Sequence, residues 1–164
     1  MYKSFGLKSV IFIYLFIRVI FMEILNKKEI KRIEEIIREQ FGIDFEFMDI
    51  VLKNKEDKIF LLSSDFKNIS VEKIRVNSLG LFFGRLQNGM IRLSIEGSQL
   101  VKGKKNVIEI RDEDVKKWLM GEELKTEEDL KGFVIIKNKN DYLGCGEAKE
   151  GRILNYVAKD RRIR

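Results

Sequence analysis

The chain has 164 residues, 35% of them charged and 45% hydrophobic, and a net charge of +6. That is enough for one domain of ordinary size or two small ones with a buried core. It has no histidine and a single cysteine, Cys145; an internal disulfide, a Cys–His catalytic pair and the Cys/His zinc sites are therefore excluded, and a reducing, cytoplasmic setting is expected.

Residues 10–21, VIFIYLFIRVIF, form an apolar run broken by Arg18. The run is short of the ~20 apolar residues of a spanning helix. Lys3 and Lys8 precede it as in a signal peptide, but no small-residue cleavage site follows. Met22 comes next, and from Glu23 the chain reads as an ordinary domain start. The expectation is initiation at Met22, with 1–21 an apolar extension and no stable membrane association. A membrane or signal segment and a genuine extra helix or strand are the alternatives.

Asn26 followed by Glu29 is a helix-start signal related to the capping box. Ile30, Ile33, Ile36, Ile37 and Phe41 repeat at helical spacing, and Gly42 supplies the stop. FEFMDIVLK and KIFLLSS read as two strands joined by a polar turn at residues 54–57. Residues 70–76 are expected to form a short helix. LGLFFGRL and MIRLSI follow as strands, and the Asn88-Gly89 pair between them signals a hairpin, because both positions tolerate positive φ. SQLVKGKK is read as a helical turn and a basic connector. A domain boundary is placed there, so that 22–101 forms an N-terminal α/β domain and 102–164 a second one.

The second unit opens with the strand NVIEI. Asp112 can cap a helix in which Val115, Trp118 and Leu119 share a face, and Gly121 can end it. Trp118 is assigned to the core, against a base-stacking platform as the alternative. GFVIIK and YLGCGEAK make a hairpin around residues 138–141. ILNYVAK makes the last strand after the Glu150-Gly151 turn. Cys145 reads as a small core residue. Gly144, Gly146 and Gly151 look like part of a phosphate loop, but a strand follows them, so no helix N-terminus faces a phosphate; they suit the tight bends of a small barrel.

Charge is segregated in this unit. Segments 102–111 and 130–164 hold 13 Lys and Arg against 5 Asp and Glu, while residues 112–129 hold 8 acids and 3 bases. Two readings stand side by side: lysine-protected strand edges, or a surface for a polyanion.

The strings GFVIIK, DYLGCGEAK and ILNYVAKDRRI resemble the end of PUA domains, small RNA-binding barrels of RNA-modifying and ribosome-biogenesis proteins. VNSLGLFFGRL, RLSIEGSQL and WLMGEEL are similar to an archaeal group of stand-alone PUA-containing proteins. These are related to the C-terminal region of the Sun/Fmu rRNA cytosine methyltransferases. The two-part order also resembles the ribosome-assembly factors of the Nip type. The resemblance implies an α+β protein in which a small α/β domain precedes a PUA-like β-barrel. It implies a cytoplasmic, non-catalytic protein without a cofactor: neither a cofactor-binding glycine loop nor paired catalytic cysteines are present. Implied partners are RNA, ribosomal or transfer, and a separate RNA methyltransferase or assembly factor. An adaptor that recruits such a partner, its basic charge incidental, is the competing reading.

The resemblance further implies a groove between the unit's first helix and a late strand. Its matched basic positions are Lys149, Arg152, Lys159, Arg161 and Arg162. Lys102, Lys104 and Lys105 flank the barrel entry, and Lys137 and Lys139 lie on the hairpin. Tyr142 and Tyr156 are candidates for stacking, with burial expected for Tyr156 because it lies in an apolar strand run. Strand alternation turns only about half of such residues to one face.

Overall fold

The computed structural model of the protein describes residues 22–63 and 80–164. The expectations for 1–21 and for a helix at 70–76 lie outside these residues. Among the described residues there are three α-helices and two five-stranded sheets, an α+β arrangement.

Helix α1 (Lys27–Phe41) starts where local chemistry dictates. Asn26 Oδ1 accepts from the backbone N–H groups of Lys28 and Glu29, and Glu29 accepts from Asn26 N–H at 2.9 Å. This reciprocal pairing satisfies donors that the first turn would leave orphaned. Gly42 ends the helix at φ 65, a left-handed conformation that glycine adopts without strain. Ile33, Ile37 and Phe41 on one face are buried.

That face covers an antiparallel sheet of β1 (Met22–Ile24), β2 (Ile50–Asn54), β3 (Lys58–Leu62), β4 (Leu81–Gln87) and β5 (Met90–Leu93), in that spatial order. The β4–β5 turn has φ 53 at Asn88 and φ 74 at Gly89, as the dipeptide requires. The expected strand from residue 45 begins only at Ile50. Phe45 and Phe47 do alternate, but residues 45–49 join no strand ladder, and their rings cluster on Phe83 of β4, at 5.6 and 5.1 Å between centroids. Phe47 N–H is taken by Glu34 Oε1.

The expected strand through Ile95 also ends early. Ser94 caps helix α2 (Ile95–Val101): its Oγ accepts from Gly97 N–H and donates to the Phe82 carbonyl at 2.6 Å. Gly97 is needed there, because a Cβ would stand 2.0 Å from the Phe83 carbonyl oxygen.

The second sheet runs β6 (Val107–Glu109), β8 (Gly132–Asn138), β9 (Asp141–Lys149), β10 (Arg152–Asn155) and β7 (Leu124–Lys125). β6 is parallel to β8 and the other pairs are antiparallel. The sheet curls into a half-barrel, with β6 and β7 at its edges. Helix α3 (Asp112–Met120) lies on it through Trp118, which is fully buried and donates its Nε1–H to the Leu143 carbonyl at 2.8 Å. Gly146 makes room for the indole: a Cβ there would come 2.8 Å from Trp118.

Two expectations in this unit are corrected. Arg111, not Asp112, occupies the cap position of α3. The Asp112 carboxylate turns instead to the hairpin, where Asn138 Nδ2 and Lys139 Nζ donate to it. The last strand stops at Asn155 instead of running through Lys159. Asn155 Nδ2 donates to the Trp118 and Glu122 carbonyls and its Oδ1 accepts from Val157 N–H, which turns the chain out of the sheet.

The two sheets share packing. Ile135 and Cys145 of the second sheet belong to the core under α1, while Ile95 of α2 packs against the core around Trp118. Gln40 binds Ile91 through both its amide groups. The connector after α2 is stitched to α1, since Lys104 and Lys105 N–H both reach the Phe41 carbonyl. The boundary placed near residue 101 thus falls at the end of a helix that packs between the sheets.

Candidate functional site

Strand register decides how the eleven candidate residues are grouped. At the β8–β9 turn, Lys137 pairs across the ladder with Tyr142. Lys139 Nζ lies 2.6 Å from Asp112 Oδ2, and Lys137 Nζ lies 3.9 Å from Glu109. The hydrogen bond from Lys139, then that from Asn138, holds the Asp112 carboxyl below its ordinary range. Tyr142 is half-buried and packs against the first core. This end of the sheet has its charge largely compensated.

Lys149 and Arg152 sit at the opposite end of β9, roughly 23 Å from Tyr142 at ~3.3 Å per residue. There Arg152 stands directly opposite Lys149 on one side and Lys125 on the other. Three cations therefore form a row across β9, β10 and β7, and all three residues are exposed. Leu154 pairs with Glu147 on the same face, while Ile153, Ala148 and Leu124 alternate to the other face and into the core. The only acid reaching the row among the described residues is Glu123, 3.6 Å from Arg152. Like charges directly opposite one another on adjacent strands are destabilising, so folding alone gives no reason for the row.

The remaining candidates lie elsewhere. Lys102 and Lys104 are exposed on the connector, and Lys105 Nζ reaches the Glu39 carbonyl. In the tail, Lys159 is exposed, Arg161 pairs with Glu96, and Arg162 folds back so that its Nε donates to the Val157 carbonyl. Ile163 N–H caps the Leu119 carbonyl of α3. The structure thus brings Lys149 and Arg152 together and leaves the connector, hairpin and tail residues apart from them.

Sequence reasoning missed Lys125. It lies within the segment set aside as acidic, and its strand is two residues long, too short for any periodicity to show. Only pairing with β10 brings it to Arg152.

The expected burial of Tyr156 is also corrected: the residue is 38% exposed. The apolar run that suggested burial leaves the sheet at Asn155, so the ring follows no strand alternation. Its hydroxyl donates to Glu147 Oε2 at 2.7 Å, and the Arg92 guanidinium lies 4.1 Å from the ring centroid. Phe133 meets the ring edge-on at 6.1 Å. The Glu147 bond is the main reason the phenol is pushed above its ordinary range, while burial lowers the Arg92 guanidinium.

Cys145 is buried, and burial pushes its thiol up to about 12. A thiolate nucleophile needs the opposite environment.

Residues 105–163 match the family model described as the methyltransferase RsmF PUA domain, a little over a third of the chain. The span begins just before β6 and ends in the tail, so it coincides with the second sheet and α3. It bears out the resemblance to PUA domains and to the C-terminal region of the Sun/Fmu methyltransferases. A search of curated proteins found no match.

Proposed function

We propose that the protein binds RNA through its second unit, as a non-catalytic factor in rRNA processing, rRNA or tRNA modification, or ribosome biogenesis in the cytoplasm. The observation that carries this reading is the Lys149–Arg152–Lys125 row. Three exposed cations held side by side by backbone pairing have little compensation from the protein, and phosphate oxygens would supply it. The PUA match over the same unit supports RNA as the source of those phosphates. The buried thiol of Cys145 removes that residue as a candidate nucleophile.

A log–log salt slope of about −2 is expected for single-stranded RNA, from three phosphate contacts at ~0.7 each. Joint reversal of Lys125, Lys149 and Arg152 to Glu should remove most affinity and flatten that slope. Reversing Lys116, exposed on α3, should do far less. Fluorescence anisotropy of a labelled oligoribonucleotide between 50 and 200 mM salt reads both quantities. A wild-type protein without salt-dependent affinity would sink the reading.

The adaptor alternative draws on a different observation. Lys137, Lys139 and Arg161 are already paired with Glu109, Asp112 and Glu96, so much of the basic charge is compensated within the fold. It predicts no slope and no effect of the triple reversal. Capture of a methyltransferase or assembly factor would then be the activity to measure.

A further inference from the structure

We infer that Tyr156, backed by Arg92, is a stacking platform for one unpaired base of a single-stranded RNA whose phosphates lie on the Lys149–Arg152–Lys125 row. The inference rests on the RNA reading above and adds which form of RNA is held and where a base goes.

The geometry comes from residues of both units. Arg92 is on β5 of the first sheet and Tyr156 follows β10 of the second. The guanidinium, half-buried at this junction, takes one side of the ring at 4.1 Å, a cation–π distance. The Tyr156 hydroxyl is tied to Glu147, and Phe133 stands nearly perpendicular to the ring with centroids 6.1 Å apart, which leaves 38% of the residue exposed. A ring held by three partners loses little rotamer freedom when a ligand arrives, so it is preorganised for contact.

What stays exposed borders a groove of ≈370 Å³. Phe60, Phe82 and Ile95 are among its apolar lining, with Ala158 beside Tyr156. That volume is in the range of small-ligand sites, and aromatic walls suit a flat, apolar-faced group. The basic row lies four residues back along the chain from Tyr156, at most roughly 13 Å at ~3.3 Å per residue. Cations that track a backbone, followed by an exposed aromatic ring, form the arrangement by which proteins hold single strands. An unpaired base can reach such a ring; a base inside a duplex cannot.

Two probes of equal charge test this: a hexauridylate, and a hexamer of the same ribose-phosphate backbone without bases. Wild-type protein should bind the hexauridylate about ten-fold more tightly or better, with the same salt slope for both. Tyr156→Ala should bring the two affinities together. Tyr156→Phe should keep the preference for bases, because it keeps the ring and loses only the bond to Glu147. The fluorescence of the buried Trp118 checks that each variant is folded. Equal wild-type affinity for the two hexamers overturns the inference and leaves the phosphate row standing, and it needs no variant. Retention of the base preference by folded Tyr156→Ala overturns it as well. Equal displacement of RNA by a hexaglutamate peptide would assign the surface to an acidic protein segment instead. Absence of salt-dependent binding to either hexamer would remove the RNA reading itself, and this inference with it.

Discussion

Ser98 is the buried polar side chain of the described core, and it joins the two sheets. Its Oγ donates to the Ile95 carbonyl at 2.7 Å within α2 and accepts from the N–H of Gly144 in β9 at 3.0 Å. Ser98→Ala would leave the Gly144 N–H buried without a partner. A loss of about 1–3 kcal/mol in unfolding free energy is expected, read from urea denaturation with an unchanged m value. No local pattern marks this serine: in GSQL it looks like any turn residue. The same holds for Tyr156, whose surroundings suggest a core position. Trp118 is the contrary case. Its spacing with Val115 and Leu119 fits a single helical face, and the indole is buried as that face requires.

Among the elements, α1 is the most fully written in its own residues. Asn26, Glu29, the apolar spacing and Gly42 all act within a few positions of where they stand. Asn26→Ala removes a cap that satisfies two backbone donors, and should cost about 1 kcal/mol in the same measurement. The β4–β5 and β8–β9 hairpins were legible for a similar reason, since turn residues with positive φ lie between apolar runs. The elements that departed from expectation did so at their ends. Residues 45–49 alternate like a strand but lack a neighbour to pair with, and their rings found Phe83 instead. Ser94 looked like the end of a strand until its hydroxyl capped α2. The segment after Asn155 left the sheet because that side chain secures the end of α3. At 45–49 and after Asn155 a contact distant in sequence overrode a pattern of period two, whereas at Ser94 a local cap three residues from Gly97 did so.

At the scale of the whole molecule, the two sheets share packing across Ile135 and Cys145. Ile135→Ala opens a cavity in that shared region and should cost about 2–5 kcal/mol. Trp118 fluorescence reports the second core and far-UV circular dichroism the whole chain. Their denaturation curves should coincide in the wild type and shift together in the variant; two separated transitions would show that the sheets unfold independently. The sequence by itself determined the α+β composition, α1 and its caps, the two hairpins, the central place of Trp118 and the PUA resemblance of the second unit. These depend on neighbours within about one turn or one hairpin, or on strings that can be matched directly. Only the tertiary structure decided which cations stand together. Lys125 meets Arg152 through the pairing of β7 with β10, whereas Lys139 and Arg161 meet carboxylates brought in from α3 and α2. A charge count cannot separate these fates, because compensation depends on which side chains come within a few ångströms, and strand register sets that across long stretches of chain.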